Sequence, residues 1–121
     1  MTQSLDVRAV QQFLRRFADD RDWEQFHTPK NLTMALSSRV GRLTEVFLWL
    51  TPAQSMFIMK DSKRASQIRD ELADILQYVI RLADILDFDL NDALWDKLHR
   101  NEEKHPRHPS KGRAKKYTDL E

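Results

Sequence analysis

The stretch Ile68 to Leu86 most constrains what this chain can fold into, because Ile68, Leu72, Ile75, Val79, Leu82 and Leu86 recur at spacings of four and three. That period lays one continuous apolar stripe down a long helix. Glu71 and Asp74 each stand one residue before a stripe position, so the spacing puts both on the flank of the buried face. Two acids three apart project from one side of a helix and can share a cation.

The same reasoning gives three more helices. Val10, Phe13, Leu14 and Phe17 mark an amphipathic helix over about residues 5 to 19, which ends in the polar run DDRD. The aromatic-rich segment Trp23 to His27 leads into Thr28-Pro29, a hydroxyl N-cap followed by proline at the first helical position. The second helix is expected from about Pro29 to Leu50, with Leu36, Val40, Leu43, Phe47 and Leu50 as its stripe. Gly41 costs that helix about 1 kcal/mol relative to alanine, which a close helix contact or a close ligand would explain. Thr51 to Asp61 reads as a connection whose apolar Met56-Phe57-Ile58-Met59 either tucks under itself or a partner subunit, or forms a lid. The long helix starts near Ser62. Asp89 with Asp92 three residues on suggests a cap for the last helix, which uses Leu90, Leu94 and Leu98 and ends before Pro106.

The expected fold class is therefore all-α, an antiparallel helical bundle. Residues 1-104 form its helical domain and residues 105-121 a basic tail without apolar period. The two long stripes are continuous enough to serve two neighbours each, so the bundle is expected to be completed by homo-oligomerisation, as a homodimer or homotetramer.

Composition narrows the function classes. A chain of 121 residues with 32% charged and 40% hydrophobic residues, two glycines and four prolines suits one soluble helical domain. No run reaches the roughly 20 apolar residues of a membrane span, and MTQSLDVRAV lacks the succession of a signal peptide; a cytoplasmic location is expected. The absence of cysteine excludes disulfides, thiol catalysis and Cys-rich zinc sites. His99, His105 and His108 have no metal-ligand spacing. The net charge of +1 makes no whole-chain case for nucleic acid. Lys104, Arg107, Lys111, Arg113, Lys115 and Lys116 gather in the tail, but Tyr117 is its one aromatic, so a solvated tail or subunit clamp is expected rather than a nucleic-acid site.

The second helix reads Arg39-Val40-Gly41-Arg42-Leu43 where the third reads Glu71-Leu72-Ala73-Asp74-Ile75. If the helices pack antiparallel through their stripes, a basic pair faces an acidic pair. An interhelical salt-bridge cluster is what the spacing alone suggests.

The blocks FADDRDWEQFHTPKNLTMAL, VGRLTEVFLWL, RDELADILQYV and the ending KYTDL, in that order from about Val10 to Leu120, resemble the all-α MazG-like nucleoside triphosphate pyrophosphohydrolases. Within them the match is to the dCTP-pyrophosphatase-like branch. The resemblance implies cleavage of a nucleoside triphosphate, dCTP among the candidates, to the monophosphate and pyrophosphate. It also implies Mg²⁺ as cofactor, oligomeric helical subunits and a role in nucleotide-pool house-cleaning. It implies that Glu71 and Asp74 are metal ligands, matching the ExxD half of the family's motif. Trp23, His27 and Trp49 would belong to a base pocket, with Tyr78 one turn after Asp74. Lys97 and Asn101 match a KxxxN pattern suited to phosphate or sugar contact, and Lys116 and Tyr117 would fold over a neighbouring subunit's site.

One departure bears on the chemistry. Arg39 and Arg42 occupy the positions of the ExxE glutamates, and Ser38 stands where many relatives have a further acid. Four carboxylates can hold Mg²⁺ against a triphosphate and help activate a water. With two arginines the set is two negative and two positive. Arginine neither ligates Mg²⁺ nor deprotonates; it pairs with Glu71 and Asp74 or binds phosphate. The expectation is weak or absent hydrolysis, the alternative function being that of a catalytically inactive nucleotide-binding or regulatory helical oligomer.

Overall fold

Side chains set where each helix begins. In the computed structural model, which describes residues 4–107, α1 (Val7–Asp20) starts after Asp6, whose carboxylate accepts from the Ala9 amide. Thr28 caps α2 (Pro29–Phe47) by accepting from the Asn31 amide, with Pro29 at the first position. A single turn, α3 (Pro52–Ser55), carries a full capping box between Thr51 and Gln54. Asp61 opens α4 (Ser62–Ile85) by accepting from the Lys63 and Arg64 amides, and Asp89 opens α5 (Leu90–Lys104) by accepting from the Asp92 amide. Each such cap contributes about 1 kcal/mol. Short 3₁₀ turns cover Glu24–Phe26 and Ile58–Lys60. No strand occurs among the described residues.

Two elements differ from expectation. α2 stops at Phe47, three residues short of Leu50, and the following connection holds α3 and a 3₁₀ turn rather than a plain loop. Only Ile58 of its apolar run is buried within the chain, while Met56, Phe57 and Met59 stay exposed.

The described residues fall into two compact units that divide after Asp87. In the first, α2 and α4 pack along their lengths, and α1 packs on α4. His27, just before α2, meets Arg81 late in α4; Arg39 meets Glu71 and Asp74 at mid-length; Leu50, past the end of α2, shares a groove with Arg64 at the start of α4. The two long helices therefore run antiparallel. The second unit contains α5, with Leu94, Trp95 and Leu98 along it.

The buried face of α4 is rotated from the expected stripe. Ile68, Glu71, Ile80, Arg81 and Ala83 are its buried residues, whereas Leu72 is 51% and Leu86 52% exposed. Glu71 therefore lies in the packed face, not on its flank. A helix packed against both α1 and α2 buries a broader arc than one heptad seam, and a buried acid is tolerated when a cation faces it. Leu32 of α2 and Ala18 of α1 complete the core with Ile58, Ile68, Ile80 and Ala83.

Candidate functional site

A cavity of about 170 Å³ opens between α1, the segment before α2, and α4. Its aromatic wall is built by the way α1 ends. Asp22 takes a left-handed backbone conformation (φ 54°); its amide donates to the Asp19 carbonyl at 3.1 Å, and the Trp23 amide donates to the Ala18 carbonyl at 2.9 Å. This is a Schellman ending, in which the residue two past the cap folds back onto the last turn. Trp23 thereby meets the edge of Phe17, with centroids 5.6 Å apart. Phe17 is also held by Arg21, whose guanidinium lies 3.6 Å from the ring centre and donates to the Phe17 carbonyl. His27 adds an edge-on contact to Trp23 at 6.4 Å.

The far wall comes from α4, where Asp74, Gln77, Tyr78 and Arg81 line the same cavity. Arg81 is 5% exposed. Its Nε donates to His27 Nδ1 at 3.2 Å and its Nη1 to Asp84 Oδ2 at 3.5 Å. Asp84 is in turn held by Arg15, which donates from Nε at 2.6 Å and pairs through Nη2 with Oδ1; the bond and the charge of Asp84 raise the Arg15 pKa. Burial, and then the positive charge of Arg81, lower the pKa of His27, with Glu24 opposing them.

Beside the cavity lies the charged cluster. Arg39 Nη1 stands 3.3 Å from Asp74 Oδ2 and 3.9 Å from Glu71 Oε2. Glu71 is 8% exposed, and its Oε2 has no hydrogen-bond partner. Arg42 is exposed and makes no ion pair among the described residues, so one arginine rather than two faces the acids.

The orphaned Oε2 asks for a cation, and this tests whether Mg²⁺ suits the donor set. Mg²⁺ is held in octahedral geometry by one or two carboxylates together with waters and substrate phosphates, and those carboxylates must not be neutralised by another cation. Here two carboxylates face a guanidinium, and among the described residues no group of three or more His, Cys, Asp or Glu is placed to hold a metal. The residues present do not fit a magnesium site.

Of the other residues picked out above, Trp23, His27 and Tyr78 meet Asp74 around the cavity. Trp49 does not; it is 88% exposed beyond the end of α2. Lys97 and Asn101 lie on α5, in the second unit, and Lys116 and Tyr117 lie outside the described residues. Sequence reasoning passed over Arg81, Asp84, Phe17 and Gln77. The available signal was Arg81 itself, a charge set in the apolar run Val79-Ile80-Arg81-Leu82-Ala83 with Asp84 three residues on. Among the described residues Gly41 has nothing within 4 Å of the position a Cβ would take, so no close helix contact among them requires it.

The model of the MazG-like family matches residues 34–120. The rat protein named dCTP pyrophosphatase 1 is 42% identical over 104 residues, covering 86% of this chain. Its human counterpart is 38% identical over the same length. The chain spans 61% of the length of each of these two relatives. A solved pyrophosphatase from Archaeoglobus fulgidus superposes with a TM-score of 0.77 at 30% identity, over 88% of this chain and 97% of that one.

Proposed function

The chain belongs to the MazG-like family, and from that premise we propose that it binds nucleoside triphosphates in the cavity lined by Trp23, His27 and Tyr78. Its chemistry is of the pyrophosphohydrolase type, splitting the triphosphate between the α and β phosphates, but its own turnover is weak or absent. The observation that carries this reading is Arg39 set against Asp74 at 3.3 Å and Glu71 at 3.9 Å. A fixed positive charge there offsets the acids that would otherwise attract a divalent cation and the water it activates. What remains is recognition: flat rings to stack on a base, and arginines to meet phosphate. The named activity of the rat and human relatives supports the substrate class.

The chain is further proposed to assemble with copies of itself. Leu48, Trp49, Met56, Phe57 and Met59 are 51% exposed or more, an apolar surface that a second subunit would cover.

The test is pyrophosphate release from dCTP with Mg²⁺ present, alongside nucleotide binding without it. The unmodified chain should bind and turn over little, while the double variant Arg39→Glu, Arg42→Glu gains Mg²⁺-dependent turnover of at least about a hundredfold, the scale of a lost or restored electrostatic group at a reacting centre. Turnover by the unmodified chain equal to that of the double variant would sink the proposal.

A further inference from the structure

The cavity is small for the ligand proposed to enter it. Its volume is about 170 Å³, whereas pockets that enclose a drug-sized ligand run from roughly 300 to 1,000 Å³. A nucleoside seated there needs a wall to give way, and the walls are not held equally. α4 packs along α2 and buries five residues. α1, which brings Phe13, Leu14 and Phe17 to the cavity, buries Ala18 alone, close to its C-terminal end.

The remainder of α1 is fastened by one polar contact. Arg15 donates from Nε to Asp84 Oδ2 at 2.6 Å and pairs through Nη2 with Oδ1. Among the described residues no other ion pair or side-chain hydrogen bond joins α1 to another helix. The Asp84 side chain is 6% exposed and that of Arg15 60%. A forked pair of this kind holds well, yet its wet guanidinium leaves it open to breakage and to screening by salt. Asp84 is not orphaned when Arg15 departs, because Arg81 Nη1 lies 3.5 Å from its Oδ2. At the other end the chain turns back through Asp22 at φ 54°, just past the anchored last turn, where a hinge can absorb backbone rotation.

We infer that α1 is a hinged wall of the cavity, latched to α4 by Arg15 and Asp84, which opens to admit a nucleotide and shuts behind it. The identity of the ligand rests on the nucleotide-binding function proposed above; the latch is a property of the free chain. Released from α4, a helix of 14 residues is marginal in water, so each opening exposes its amides to exchange.

Hydrogen exchange of the full chain without nucleotide, followed by NMR, tests the latch. Amides from Gln11 to Phe17 should exchange about tenfold faster or more than those from Ile68 to Ile80. Arg15→Gln should speed the α1 group by about fivefold, the scale of an ion pair with one exposed partner. Raised salt should speed it in the unmodified chain and not in the variant. Arg15→Lys, which keeps the charge and loses the fork, should fall between. Unchanged exchange in α4 reports that each variant is folded. Stopped-flow mixing with dCTP then reads the gate, and Arg15→Gln should raise both the association and the dissociation rate. Exchange in α1 as slow as in α4, exchange indifferent to Arg15→Gln and to salt, or dCTP rates unchanged by the variant would each overturn the inference and leave nucleotide binding standing. Absence of dCTP binding would overturn the proposed function, and the exchange data alone would then decide the latch.

Discussion

A neutral histidine held under an arginine makes acid costly to this fold. His27 faces Arg81 from α4 and Glu24 from its own 3₁₀ turn; Asp74 and Tyr78 share its cavity, and Arg15 and Asp84 stand behind Arg81. Burial first, and Arg81 second, lower its pKa from the ordinary 6.5. In the unfolded chain His27 takes a proton near 6.5, while the folded chain resists it until lower pH. The unfolded state therefore binds more protons just below that value, and stability falls with acidification from about 6.5 down to the folded pKa. The thermal midpoint should drop across that window, and His27→Gln should flatten this part of the profile; an unchanged slope would show that His27 does not carry it. At this scale the sequence was partly legible. The facing of Arg39 and Asp74 followed from matching spacings on two helices. The burial of Glu71 and Arg81 did not, because a buried charge is betrayed only by partners far away in the chain, here Arg39, His27 and, through Asp84, Arg15.

Among the elements, the most informative is the end of α1. Helix starts were readable because each rests on a side chain within three residues, as Thr28 does with Asn31 and Asp89 with Asp92. The Schellman ending was not, since it depends on an aspartate adopting φ 54° where glycine is usual. Asp22→Val should cost about 1–2 kcal/mol, because a β-branched residue resists the left-handed region. It should also move Trp23, so a lower thermal midpoint should come with a shifted tryptophan emission maximum. Retention of both would mean that the turn does not position the ring. The rotation of the α4 face has a similar origin. A period of four and three marks a helix reliably, but which arc is buried depends on how many neighbours it has, and α4 has α1 as well as α2.

For the molecule as a whole, the exposed apolar residues pose the larger question. Trp49 at 88% and Met56 at 79% exposure stand beyond the end of α2; the sequence pattern put Trp49 within the second helix and left the segment of Met56 as tuck, partner contact or lid. The proposed assembly makes it a partner contact. Sedimentation velocity should therefore find the chain heavier than its 14.4 kDa monomer, and the double variant Trp49→Lys, Met56→Lys should shift it toward monomer; a monomer at all concentrations would count against assembly. The all-helical class was legible in the periodicity and holds for the described residues, whereas the two long stripes raised the expectation of a further subunit without saying what covers the spare apolar face.

The open space around Gly41 has a practical consequence. The chain contains no cysteine, and among the described residues nothing outside the helix backbone lies within 4 Å of where a Cβ at position 41 would stand. A single thiol placed there can carry a fluorescent dye as the chain's one thiol label, next to Arg42 and two residues from Arg39. The arrival of a nucleotide or of a second subunit could then be timed on a molecule otherwise unaltered.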